Sequence, residues 1–125
     1  MYNYTKKIKP YVEAELKLYS LNSKEGHHAI AFKHLENAHI LGQESTFFHV
    51  KVHCLMFLWA YRQKNIHELI GQIIRIAGAA MATAAIKTGI SSVPRGNTGG
   101  ANVSPFQEMP ISSGLEKIIQ EAKNV

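Results

Sequence analysis

Seven histidines, His27, His28, His34, His39, His49, His53 and His67, fall within residues 27–67 of a 125-residue chain. Imidazole is the side chain best suited to holding a transition metal or passing a proton near neutral pH. Which of the two applies depends on how the rings are aimed. On a helical wheel of about 100° per residue, His49, His53, Met56 and Ala60 line up at i, i+4, i+7 and i+11. That line is opposite Lys51 and Arg62, so it faces away from solvent. In the preceding segment Lys33, Glu36 and Asn37 mark the wet side, and Ala31, Leu35 and Ala38 the core side. His39 and His28 flank Leu35 on one edge and His34 lies on the other.

The connection Gly42–Gln43–Glu44 is short, which predicts an antiparallel pair of helices. At equal height His39 then meets His49, and His34 or Leu35 meets His53. A carboxylate joins them from further upstream. Glu15 falls in the apolar stripe of Ile8, Val12, Leu16 and Tyr19, whereas Glu13 lies with Lys9 and Lys17 on the wet face. A carboxylate in an apolar stripe needs a partner or an escape to water. Imidazole and carboxylate groups facing one another inside a bundle are the usual materials of a metal site. The expected ligands are therefore His49 and His53, completed by His39 and Glu15, with His34 and Met56 in reserve. Such a set suits a divalent transition metal, Zn, Fe or Ni; enlisting the Met56 thioether shifts it toward Cu. Two other readings stand beside this one. A buried His/Glu network can simply fix helix register in a protein–protein interaction module. A small metal-assisted enzyme would add an open coordination position and a substrate cleft.

The elements that position these groups follow from periodicity. Four helices are predicted, over residues 4–21, 24–41, 46–64 and 66–88. Pro10 is placed in a first turn, where proline is tolerated, and Gly42 is read as a helix stop. Ser45 caps the third helix and Asn65 the fourth, with Glu68 three residues on in the spacing of a capping box. Residues 89–112 hold Gly89, Gly96, Gly99 and Gly100 with Pro94, Pro105 and Pro110, which excludes regular helix there. Its sequence is neither a P-loop nor a dinucleotide fingerprint. It is predicted to wrap over the bundle, anchored by Phe106, Met109 and Ile111. Ser113 and Glu116 signal a short last helix over 113–124. Glu68, Gln72 and Arg75 form one polar stripe of the fourth helix, either a solvated face or the seat of the glycine-rich wrap. The predicted fold is all-α: a small antiparallel helical bundle of about four helices (1–88), the irregular wrap (89–112) and the short helix, together one domain.

Composition narrows the function classes. Apolar residues are 46% and charged residues 18%, which excludes a disordered chain. The single cysteine, Cys54, excludes an internal disulfide. The net charge is +5, but beyond Lys6, Lys7 and Lys9 the basic residues are dispersed, so no nucleic acid partner is expected. No segment has the ~18 apolar residues of a membrane span and no secretory signal is read at the N-terminus. The expected location is the cytoplasm. A protein partner or a homodimer stays open.

Four stretches carry a resemblance: AFKHLENAHILGQ, HVKVHCLM, ELIGQIIRI and, above all, GNTGGANVSPF with MPI after it. With these the chain resembles, over residues 13–115, a small bacterial family known as domain of unknown function 3703. The resemblance implies a compact, mostly helical bacterial protein and carries over no catalytic assignment.

Overall fold

In a computed structural model, which describes residues 2–87, 95–104 and 107–124, the chain forms five helices. These are α1 (Tyr2–Lys24), α2 (His28–Gly42), α3 (Thr46–Gln63), α4 (Ile66–Lys87) and α5 (Ser113–Lys123). Among the described residues there is no strand, and none of their helices is long and apolar enough to cross a membrane. Pro94, Pro105 and Phe106, three landmarks of the expected wrap, lie outside the described residues.

The core grows from one stripe of each helix. From α1 come Tyr4, Ile8, Val12 and Tyr19; α2 brings Ala31, Leu35, Ala38 and Leu41; α3 brings Phe48, Val52 and Met56; α5 brings Ile119 and Ala122. Each set repeats at three, four or seven residues, the spacings that put side chains on one helical face. α1 packs along α2, α2 against α3 and α3 against α4. The Tyr4 hydroxyl donates to the Leu41 carbonyl at 2.6 Å, tying the start of α1 to the end of α2. Capping sets the helix ends. The Ser45 hydroxyl accepts from the Phe48 amide at 3.5 Å and is itself held by the Thr5 hydroxyl at 2.8 Å. Asn65 Oδ1 accepts from the Glu68 amide at 3.0 Å.

Three expected details differ. α1 starts at Tyr2, so Pro10 sits inside the helix rather than in its first turn. It is exposed, where the carbonyl that loses its amide partner is open to water. Gly42 belongs to α2 and does not stop it. Its role is close approach, since a Cβ there would meet Phe48 Cβ at 2.8 Å. The cap of α5 is Ser112, one residue before the expected one, with its hydroxyl accepting from the Leu115 amide.

Glu15 is also placed differently from expectation. Its carboxylate accepts from His34 Nδ1 at 2.7 Å and lies 3.5 Å from Asn37 Nδ2. The two partners lie on the edge of α2 that faces α1, so Glu15 and His34 lock the α1–α2 pair. Their side chains are 18% and 22% exposed, which makes the contact partly screened. Glu15→Gln is expected to cost about 1 kcal/mol of folding free energy, with Glu13→Gln near zero. Chemical denaturation of the two variants checks this. His34→Gln should add little to Glu15→Gln in a double-mutant cycle.

Candidate metal centre

Three helices and one loop build the centre. The seam between α2 and α3 brings together His39, His49 and His53, which are 3%, 9% and 3% exposed. Ring centroids are 5.0 Å apart for His39–His49, 4.7 Å for His39–His53 and 5.0 Å for His49–His53. One ligand nitrogen from each lies within 4.8 Å of the others. His39 meets both partners because its ring falls between the two successive turns that carry His49 and His53. Among the described residues this is the one such group of three. Glu15 and His34, expected in the same set, are paired with each other on the α1 side of α2. Met56 is fully buried, and its sulfur lies 3.4 Å from Gln72 Nε2.

The second layer fixes which ring nitrogen carries hydrogen. His39 Nδ1 lies 2.7 Å from the backbone carbonyl of Asn97. A carbonyl only accepts, so His39 holds its hydrogen on Nδ1. His53 Nδ1 lies 2.6 Å from Gln72 Oε1. The orientation of that amide is set by its other end. Gln72 Nε2 donates to the Glu68 carboxylate at 2.5 Å and to the Gly99 carbonyl at 2.9 Å. Turning the amide over would set an oxygen against two acceptors. His53 must therefore also hold its hydrogen on Nδ1. The two Nε2 atoms that remain face each other at 3.1 Å, each presenting a lone pair.

Burial disfavours a proton in that gap at neutral pH. Burial pushes the imidazole of His39 well below its ordinary pKa, helped by the neighbouring His53 and His49. Burial lowers His49 to about 4. Burial, with His49 beside it, lowers His53 to about 3. All three rings are neutral bases at pH 7.

α4 and the loop at 95–104 hold the second layer in place. Glu68 and Gln72 are buried, at 6% and 0% exposure. The Glu68 carboxylate accepts from the Ala101 amide at 2.9 and 3.0 Å. Arg75 donates to the Val103 carbonyl at 2.7 Å. The polar stripe of α4 thus seats the glycine-rich wrap and is not a solvated face. Asn97 folds that loop on itself: its Nδ2 donates to the carbonyls of Ser104 and Gln107 at 2.7 and 2.8 Å, and its Oδ1 accepts from the Gly99 amide at 2.9 Å. Gly99 has φ +86°, and a Cβ there would come within 2.5 Å of the His39 ring. Only glycine combines that backbone with that contact. Gln72, Asn97 and Gly99 were not among the expected site residues. The signals that pointed at them are the polar stripe of Glu68, Gln72 and Arg75, read as a possible seat of the wrap, and the GNTGGANVS stretch.

A family model described as a protein of unknown function, DUF3703, matches residues 6–119. The chain belongs to the DUF3703 family. No curated protein and no solved structure matches it. The DUF3703 match covers all three histidines and the whole second layer.

The acid response of the metal-free protein follows from the three depressed imidazoles. Between the ordinary histidine pKa of 6.5 and the folded values of about 4 and 3, the unfolded chain binds protons that the folded chain does not. Stability therefore falls as pH drops through that window, by about 1.4 kcal/mol per pH unit for each such histidine. Urea unfolding of chelator-treated protein at pH 7, 6, 5 and 4.5 is expected to show this slope. His53→Gln should reduce the slope by one histidine's share.

Proposed function

We propose that the protein binds a transition metal through His39, His49 and His53. The observation that carries this reading is the pair of Nε2 lone pairs at 3.1 Å with both Nδ1 hydrogens already committed. Two acceptors in that position repel unless a cation lies between them. Burial disfavours a proton between them, and a metal cation relieves the repulsion. A metal–nitrogen distance of about 2.0–2.1 Å sets tetrahedral ligands about 3.3 Å apart. His39 and His53 stand close to that spacing, and a ligand nitrogen of His49 lies within 4.8 Å of theirs. His39 and His53 each give their other N–H to an oxygen, of the Asn97 carbonyl and the Gln72 amide, a pattern characteristic of metal ligands that fixes ring orientation.

Three neutral imidazoles favour Zn, Cu, Ni or Fe over Mg or Ca, which prefer oxygen. With Glu15 elsewhere, the carboxylate linked to the site is that of Glu68, through Gln72. It offsets part of the metal's charge without occupying a coordination position. Catalysis needs a fourth position reached by substrate. A cavity of about 300 Å³ is lined by Tyr19, Ser23, His28, Trp59, Arg62 and Gln63, none of which belongs to the triad. Metal binding is the function proposed, ahead of metal-assisted catalysis.

Metal that binds only the folded state adds about 2.7 kcal/mol at a hundredfold excess over Kd. Zn, Cu, Ni or Fe should accordingly raise the melting temperature at pH 7.5 and still at pH 5, because burial keeps the folded imidazoles neutral there; the increment should fade only as pH drops toward 4 and protons compete for the ligands. His49→Ala and His53→Ala are expected to abolish stoichiometric metal in elemental analysis. His27→Ala, at an exposed ring, should leave it intact. Unchanged melting with all four metals at pH 7.5 would return the cluster to a register-fixing network.

The glycine loop gives a separate check. A Cβ at Gly99 displaces the His39 ring and the Asn97 carbonyl that orients it. Gly99→Ala is expected to weaken metal binding roughly 10–100-fold, the usual cost of losing an outer-layer partner. Calorimetric titration of Zn into the folded variant measures it. An affinity equal to the parent's would show that the loop does not orient the ligand.

A further inference from the structure

We infer that α4 is the interface of a homodimer, pairing antiparallel with α4 of a second copy. α4 has its polarity inverted. The face turned to the protein carries Glu68, Gln72 and Arg75, all spent on the metal centre and its loop. The opposite face carries Ile66, Ile70, Ile73 and Ile74, exposed at 63%, 54%, 53% and 68%. Ala77 and Gly78, exposed as well, extend it.

The spacing identifies the occupant. Ile66, Ile70, Ile73 and Ala77 follow one another at four, three and four residues, the seam of a helix that packs on another helix. Ile74 broadens the seam on one side, and the half-buried Leu69 and Ile76 on the other. In an ordinary two-helix seam the flanking positions hold charges that choose the partner. Here they hold His67, Leu69, Ile74 and Ile76, so two copies meet with no lysine, arginine or carboxylate opposed. A membrane surface would instead favour a rim of Lys and Arg along the apolar face, and among the described residues of α4 none flanks this one.

The area agrees. Four isoleucines leave open roughly 400 Å² of apolar surface, as much as the largest patch of a typical monomer. Two such faces with their rims bury on the order of 1,000 Å², enough for a specific pair. Antiparallel pairing about the middle of the seam sets Ile70 against the partner's Ile73, and Ile66 against the partner's Ala77. Each large side chain near the ends then meets a small one.

The experiment is sedimentation velocity of the full chain with reductant present, since Cys54 is exposed. At about 100 µM a pair with micromolar Kd is some nine-tenths assembled, so the parent should sediment as a dimer. Ile70→Glu and Ile73→Lys, both at exposed positions, should sediment as folded monomers with the parent's helical circular dichroism. Mixing these two variants should restore a dimer, because Glu at position 70 of one copy then faces Lys at position 73 of the other. Mixing Ile70→Glu with Ile73→Glu should not. A monomeric parent would overturn the proposal, as would variants that remain dimeric. Flotation of a monomeric parent with phosphatidylglycerol vesicles would assign the face to a membrane surface and overturn it too. Restoration by Ile70→Glu with Ile70→Lys, in place of the first pair, would overturn the antiparallel register. None of these readouts depends on metal.

Discussion

Two imidazole nitrogens, each stripped of its hydrogen and aimed at the other across 3.1 Å, are the constraint around which this molecule is arranged. In water either ring would rotate or pick up a proton. Here neither can. His39 is held by the Asn97 carbonyl and His53 by Gln72, and burial keeps both uncharged. Left alone, such an arrangement is unfavourable, because opposed buried acceptors forgo a hydrogen bond each. A fold that keeps the arrangement must hold it with many other contacts or relieve it with a cation.

The inverted polarity of α4 follows from that constraint. A helix in a small bundle ordinarily turns its isoleucines inward. This one turns Gln72 and Glu68 inward instead, because His53 needs an acceptor of fixed orientation and the acceptor needs an anchor. Desolvating a carboxylate is costly, and backbone donors meet that cost: the Ala101 amide reaches both oxygens of Glu68. The loop at 95–104 is therefore structural for α4 as much as it covers His39. Its far end is fixed to the bundle as well, through Arg95, whose guanidinium holds Glu116 of α5 at 2.6 Å. The displaced isoleucines are left on the outside, which turns a requirement of the centre into a feature of the surface.

What the sequence discloses divides along the same line. His49, His53 and Met56 read correctly as an inward stripe of α3 because the opposite stripe, Lys51 and Arg62, is unambiguous. The short turn after Gly42 set the height of His39 against His49. Glu15 was assigned to the histidine cluster because an apolar stripe says only that a residue is near the core, not which neighbour it meets. Its partners are His34 and Asn37, on the edge of α2 that faces α1, whereas the triad sits in the seam between α2 and α3. Gln72 is legible in part. Its stripe with Glu68 and Arg75 reads as a solvated face or the seat of the wrap, and the structure makes it the seat. That its amide also turns to His53 answers to the ring's need for an oriented acceptor, which helix periodicity does not carry.

The four stretches that carry the family resemblance lie far apart along the chain, yet each supplies a part of one small volume. AFKHLENAHILGQ brings His39; HVKVHCLM brings His49, His53 and Met56; ELIGQIIRI brings Glu68 and Gln72; GNTGGANVSPF brings Asn97 and Gly99. Packing alone does not require this. A bundle of this size is stabilised by Ile8, Val12, Leu35, Phe48 and Val52, and any apolar set of similar volume would serve it. The centre tolerates no such exchange. Its rings need acceptors at two named nitrogens, and its loop needs a glycine where the backbone turns left-handed against an imidazole. The most distinctive stretch of the sequence is also the one with least regular structure, because its residues answer to the geometry of two histidine rings and not to the period of a helix.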